Sequence, residues 1–376
     1  MFPKIGRIVI LITGGLLVGL VLGEVGIRLC APLFPPAVRV FVQEEGFAMS
    51  KGHRRLAKGY RIILQKEEIQ NGPDVVMVGD SMVFGEFAGK EDLATTKMEQ
   101  WTDWDVLNLG IPARGPCTYN HMLRLAISKA RKKPSAVLYS VFVNDFIEPP
   151  CEGFKDEELF MWEEDWNKNL GLRFRMFREQ VLQNSVLYLL AKRVLFRSSS
   201  QKEGWVHLSD GDLEFIFPPE VYWKPHLDLT DTEIKAGFEQ TLKKIQAGRK
   251  FSEAKGTNFV LVLMPIKEQV YLPMFIAKGL LPPEAYHAFY DQAYDRIVAW
   301  ARASGIHAVD LRVPFRKAAS QREKLFWTLD GHMTPAGHEL VATVLIKELA
   351  ALGGGLKGVP ETRRPLKNSA SLVNSP

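Results

Sequence analysis

The chain has 376 residues, 46% of them hydrophobic, which suits one large domain or two small ones. Its net charge of +5 sits at the ends. Lys4, Arg7 and Arg28 outweigh Glu24 before residue 35, while Lys357, Arg363, Arg364 and Lys367 outweigh Glu361 after residue 352. The body between is neutral, which argues against nucleic acid as a partner, because phosphate binding needs a concentrated basic face.

From the N-terminus, Ile5 to Leu22 is apolar or glycine except for Arg7 and Thr13. That is about the length that spans a bilayer, with Lys4 and Arg7 marking the end expected to stay in the cytoplasm. Residues 1–34 are therefore expected to anchor the chain in the cytoplasmic membrane through residues 5–22, with the body outside, in the periplasm. A cleaved signal peptide is the alternative, but no clean small-x-small site precedes Glu24, and the apolar run exceeds a usual signal core. Ile27-Arg28-Leu29-Cys30 lacks the small residues of a lipid-bearing cysteine.

The three cysteines, Cys30, Cys117 and Cys151, form no Cys-x-x-Cys pair, and no structural metal site is expected. With the body outside the cytoplasm Cys117 and Cys151 could pair. Two unpaired, partly buried thiols are the simpler expectation.

Residues 35–70 begin with Pro35-Pro36 and read as a linker and lead-in with no assignable fold. A domain is expected over 71–352. Val75 to Val78 is a β-branched run typical of a strand buried on both faces, and it stops at Gly79-Asp80-Ser81. A helix over 91–102 precedes a second strand, Val106 to Gly110. Another helix, Asn120 to Lys132, precedes a third, Ala136 to Val143, which runs into Asn144-Asp145.

The alternation then breaks for an insertion over 151–229, too long to be a bare loop. It is expected to hold a helix near 181–196 and a β-hairpin over 205–217 turning at Asp210-Gly211. Its aromatic residues, Trp162, Trp166, Phe174 and Phe177 among them, read more simply as core than as the wall of a groove. Thr230-Asp231-Thr232-Glu233 reads as a capping box opening a helix to about Ala254. Phe259 to Met264 is the fourth strand, followed by the loop Pro265 to Tyr271. A helix from Pro283 to Gly305 leads to the fifth, His307 to Leu311. Asp330-Gly331-His332 follows, and Thr334 with Pro335 caps the last helix. After Gly353 the polar remainder, 353–376, is expected to be disordered.

Strands alternating with helices predict an α/β fold. The expected form is a flavodoxin-like, doubly wound parallel sheet of five strands in the order 2-1-3-4-5, with helices on both faces and the long insertion after strand 3. The polar features all follow strands, so they converge on one edge of the sheet. A serine there, with a late histidine and a carboxylate two residues before it, supplies a nucleophile, a base and an orienter. Backbone N–H groups at Ser81 and Gly110 and the amide of Asn144 could bind an oxyanion. Lys267 and Glu268 could touch substrate, although loop charges are commonly solvated. His338, within two turns of His332, reads as a structural neighbour.

On Gly79-Asp80-Ser81, Asn108-Leu109-Gly110, Asn144-Asp145 and Asp330-x-His332 the chain resembles the SGNH (GDSL-like) hydrolase family. Four blocks in order, from Gly79 to the last helix, are far more specific than any one of them. The resemblance implies Ser81 as nucleophile, His332 as base, Asp330 as acid, and Gly110 and Asn144 in the oxyanion hole. Two positions depart from the family pattern. Phe142 stands where a glycine is frequent, and a single residue, Gly331, separates Asp330 from His332 where many members have two. The anchor and the Pro-x-Lys-Glu-Gln-Val-Tyr stretch also resemble members associated with bacterial cell-surface polysaccharide acylation.

The function so implied is a membrane-anchored extracytoplasmic serine esterase that removes an acyl group, acetyl first among them, from a carbohydrate through an acyl-Ser81 intermediate. No cofactor is required. An O-acyltransferase passing the same acyl group to a polysaccharide hydroxyl is the alternative. A third reading is a non-catalytic carbohydrate-binding or assembly protein on the same scaffold. Beyond an acylated carbohydrate or other ester substrate and the bilayer, the sequence names no partner.

Overall fold

Ten strands alternate with helices along the chain in the computed structural model, which describes residues 2–34, 39, 56–57, 61–147, 159–171, 174, 185–188, 205–219 and 222–352. The strands are β1 (Leu56–Ala57), β2 (Arg61–Leu64), β3 (Val75–Gly79), β4 (Val106–Gly110), β5 (Ala136–Val141), β6 (Phe160–Trp162), β7 (Val206–Asp210), β8 (Leu213–Phe217), β9 (Asn258–Leu263) and β10 (His307–Asp310). Five of these strands make one parallel sheet with neighbours β4-β3-β5-β9-β10. Every residue of β3, β4 and β5 is buried, as strands covered by helices on both faces must be. These are the five strands and the neighbours expected. The chain order differs, because β6, β7 and β8 intervene. Counted from β3, the sheet runs 2-1-3-7-8.

Local chemistry sets the helices. Pro116 opens the helix Pro116–Lys129 at its first turn, where the missing N–H costs nothing. The helix Thr232–Ala254 is capped by Asp231, whose carboxylate accepts the N–H groups of Glu233 and Ile234. That corrects the expected capping box by one residue, since a carboxylate outcompetes the neighbouring Thr230 hydroxyl for those donors. Thr334 caps Pro335–Ala351 through Gly337 N–H. Several helices depart from the sequence expectation, and two of them bear on the site. Lys267–Ala277, expected to begin as a loop, is helical from its first residue, with Ile266 N–H held by the Gln269 side chain. Arg312–Ser320 follows β10 directly.

The insertion is not independent of the domain. Strand β6 pairs in parallel with β2, and β2 pairs antiparallel with β1, so part of the lead-in belongs to a small second sheet. The hairpin β7–β8 turns at Asp210–Leu213 with Gly211 at φ 63°, as Asp-Gly predicts. Phe215 and Phe217 lie in the main core against Tyr271 and Phe275. The expected helix near 181–196, Phe177 and Cys151 lie outside the described residues apart from 185–188, as does the segment 353–376.

Cys117 is disulfide-bonded, while Cys30 is free and exposed. This overturns the simpler expectation of an unpaired thiol at Cys117.

The N-terminal helix runs Phe2–Cys30. Within it and the turn beyond, Gly14–Leu33 is long and apolar enough to cross a membrane, at a mean hydropathy of 1.9. Leu16, Val18 and Leu20 to Leu22 are uncovered by protein. The end nearer the body is polar and docked: Glu24 pairs with Arg28 and accepts the N–H groups of Val186 and Leu187.

Candidate active site

Strand β3 ends at Gly79, and the chain turns at once into the short helix Ser81–Phe84. Asp80 makes that turn. Its buried carboxylate accepts Met82 N–H at 2.9 Å, capping the helix and fixing Ser81 at the head. Gly85 closes the turn at φ 81°, a conformation that favours glycine, and its N–H returns to Ser81 O. Beside it β4 ends at Gly110, where a Cβ would lie 2.2 Å from Phe84 N. A glycine there is what lets the serine turn lie against the neighbouring strand end.

The partner for Ser81 comes from the far end of the sequence. Phe326 and Met333 form an antiparallel bridge, Trp327 N–H donates to His332 O, and Thr334 N–H donates to Leu325 O. These contacts close a narrow loop with Asp330 and His332 at its tip. Asp330 Oδ1 accepts both His332 N–H at 2.7 Å and the ring Nδ1 at 2.5 Å. The opposite nitrogen, Nε2, lies 2.8 Å from Ser81 Oγ. One residue between Asp330 and His332 therefore suffices, because the carboxylate folds back on its own turn. Phe87 packs on the ring, centroid to centroid 5.2 Å.

Carboxylates stand at both nitrogens of the imidazole, Asp330 at Nδ1 and Glu86 near Nε2. Burial works against an imidazolium, but the Asp330 carboxylate, with Glu86 and Asp80 beyond, outweighs it and raises His332 to about 9. Burial likewise pushes Asp330 up, and the imidazolium more than reverses it, leaving that carboxyl below its ordinary value. Asp80 and Glu86 are both pushed up by burial.

The expected oxyanion donors are at the site, but both are engaged. Asn144 directs its amide N–H to Asp80 Oδ2 at 3.2 Å, so the Ser81 turn and the end of β5 are joined. Gly110 N–H donates to Asn108 Oδ1 at 3.0 Å. That corrects the picture of Gly110 as an open donor, since the Asn108 side chain folds back two residues along its own strand end to take the proton. Asp145 holds the Asn144 turn by accepting Phe142 N–H and the Tyr119 hydroxyl, each at 2.8 Å.

Lys267 and Glu268 are turned into the interior, which corrects their expected contact with substrate. Both are buried. The ammonium of Lys267 lies 2.9–3.3 Å from the carbonyls of Ile216, Trp327, Thr328 and Asp330. It ties the hairpin strand β8 to the loop that carries Asp330 and His332, and Ile216 N–H adds a bond to Thr328 O at 2.8 Å. Glu268 is enclosed beside Trp223, with its carboxyl pushed up by burial. His338 is buried in the last helix, behind Gly85.

Sequence reasoning passed over Asp80 and Glu86, though Asp80 is the middle of the Gly-Asp-Ser motif. Glu86 brings Oε2 to 3.6 Å from His332 Nε2. Its only signal was a position one residue past the glycine that ends the serine turn.

Residues 222–370 match the family described as SGNH hydrolase-like domain, acetyltransferase AlgX. Over those residues the chain is similar to an SGNH hydrolase-like domain. Two relatives bear the printed name "Probable alginate O-acetylase AlgJ". That of Pseudomonas putida is 31% identical over 127 residues, 32% of this chain and 31% of the relative. That of Pseudomonas syringae pv. tomato is 34% identical over 120 residues, 32% of this chain and 29% of the relative. The matched stretch thus spans about a third of each relative's length. An acetylxylan esterase from Geobacillus stearothermophilus superposes with a TM-score of 0.35 at 12% identity, covering 75% of this chain and 96% of the other. The family match includes the loop of Asp330 and His332, while Ser81 lies outside it.

Proposed function

We propose that this SGNH-type domain moves an acyl group, acetyl first among them, on or off a polysaccharide hydroxyl through an acyl-Ser81 intermediate. The observation that carries the reading is the 2.8 Å contact of Ser81 Oγ with His332 Nε2, backed by Asp330 on Nδ1. In this mechanism neutral His332 takes the Ser81 proton as Oγ attacks the ester carbonyl. Asp330 holds the ring and stabilises the imidazolium that forms. The Asn144 amide and the Ser81 N–H receive the oxyanion, with Asn144 turning from Asp80 to do so. The alcohol leaves with the proton from His332. An acceptor hydroxyl then attacks the acyl carbon, gives its proton to Nε2, and Oγ departs.

With water as acceptor the reaction is ester hydrolysis, the outcome implied by the family resemblance. With a sugar hydroxyl it is O-acylation, and the names of the two relatives favour that direction. The uncovered apolar N-terminal helix and the disulfide at Cys117 support a body held outside the cytoplasmic membrane, where disulfides persist. A soluble body from about residue 36, given p-nitrophenyl acetate and a fluorophosphonate probe, tests the acyl-enzyme. Labelling of Ser81 with a burst of nitrophenol is the expected result, and no labelling with no turnover would sink the proposal.

A further inference from the structure

Glu86 projects its carboxylate to the same edge of the His332 ring that Ser81 occupies. Oε2 lies 3.6 Å from Nε2 and Ser81 Oγ lies 2.8 Å from it. The Glu86 side chain is 36% exposed and that of His332 21%, so both can be reached from solvent. The backbone holds Glu86 there at a cost. Its N–H donates to Ser81 O, and it stands between Gly85 at φ 81° and Phe87 at φ 65°. A bulky residue with positive φ is a strained conformation that the surroundings must impose. Here the Phe87 ring is fixed against His332. The mechanism above gives Glu86 nothing to do in forming the acyl-enzyme.

The second half of the reaction does have a vacancy for it. The acceptor oxygen must sit within hydrogen-bond reach of Nε2, on the exposed side of the acyl group. A carboxylate 3.6 Å from Nε2 then lies beside the acceptor molecule and accepts hydrogen bonds only. A nucleophilic sugar hydroxyl gives its one proton to His332, so the group free to donate to Glu86 is a neighbouring hydroxyl. We infer that Glu86 is an acceptor-binding residue that grips the hydroxyl vicinal to the one being acylated, so that the acyl acceptor is a sugar diol. This rests on the acyl-Ser81 reading and deepens it. The acceptor oxygen bonds to the acyl carbon, its proton passes to Nε2, the carbon–Oγ bond breaks, and the proton returns to Oγ. Glu86 gains and loses no proton.

Because water and sugar compete for one acyl-enzyme, the product ratio isolates the acceptor step from folding and from acylation. The full chain in detergent is acylated by p-nitrophenyl acetate and offered methyl glucoside or propan-1-ol. Acetylated sugar, acetylated propanol and free acetate are then quantified per burst equivalent. The parent is expected to prefer the glucoside. Glu86→Ala should lower the ratio of sugar ester to acetate roughly 10-fold or more, the effect of losing a hydrogen bond to a charged group, and should erase the preference over propan-1-ol. Glu86→Gln, which keeps an acceptor oxygen, should recover part of it. An unchanged ratio in Glu86→Ala, or a parent that forms acyl-enzyme but never acetylates the sugar, overturns the inference alone. A parent with no burst overturns the acyl-Ser81 reading, and this inference with it.

Discussion

His332 Nε2 meets Ser81 Oγ at 2.8 Å although 251 positions separate the two residues. The contact joins the turn after β3 to the loop beyond the helix Arg312–Ser320. If it carries the chemistry, Ser81→Ala and His332→Ala should each abolish turnover of short-chain esters, by comparable factors, because members of one catalytic unit are not additive. Neither change should lower the unfolding midpoint much, as both side chains face the cleft. Turnover at the parent rate in either variant would remove the pair from the mechanism.

The pH profile should be alkaline. The base must be neutral to take the serine proton, and its carboxylate neighbours raise His332 to about 9. From pH 7 upward kcat/KM is therefore expected to rise close to tenfold per unit and level off near 9. Asp330→Asn removes the nearest of those carboxylates. In that variant the rising limb should move to lower pH while the plateau falls by about 10⁴, the loss expected when the orienting carboxylate of such a unit is removed. A parent profile flat from pH 6 to 9 would contradict the electrostatics.

Asn144→Ala should lower kcat on the order of 10²–10³-fold with little change in KM, the mark of a donor used in the transition state. Its amide also bonds Asp80, so a modest loss of stability should accompany the effect. A large rise in KM at unchanged kcat would place Asn144 on the ground-state substrate instead.

Lys267 is expected to act by positioning the loop of Asp330 and His332. Lys267→Met removes the ammonium between four carbonyls and should cost about 3 kcal/mol or more of stability in a denaturant titration, because buried acceptors are left unsatisfied. Activity should fall with it even where the protein remains folded, as the loop of Asp330 and His332 loses its tie to β8. Folded Lys267→Met with a parental pH profile and rate would refute the positioning role.

Thiol labelling should separate the cysteines. Without reduction, iodoacetamide is expected to reach Cys30 and to miss Cys117, which is disulfide-bonded. Cys117→Ser should cost about 2–4 kcal/mol of stability. Labelling of Cys117 in the unreduced protein would contradict the bond.

What could be read from the sequence was whatever depends on local pattern. Val75 to Val78 and the apolar stretches of β5 and β9 are uniform enough to read as strands covered on both faces, while the edge strand β10, His-Ala-Val-Asp, is only partly buried. A polar residue directly after such a run falls on one edge of a parallel sheet, which is why Ser81 and Asn144 could be grouped before any contact was known, whereas Asp330 and His332 come beyond the helix Arg312–Ser320 and joined them only through the Asp-x-His motif. Lys267 could not be placed that way. A lysine after a strand is usually solvated, and only the hairpin strand β8, arriving from the insertion, supplies the Ile216 carbonyl that helps to bury it. The same holds for Gly110, whose N–H is taken by Asn108 through a side-chain rotamer that spacing does not specify. Glu86 reaches His332 because two consecutive departures into positive φ bracket it. Which groups share an edge follows from strand order and the period of burial. Which of them face the reacting atoms depends on side-chain rotamers and long-range contacts, and those are decided only when the chain is packed.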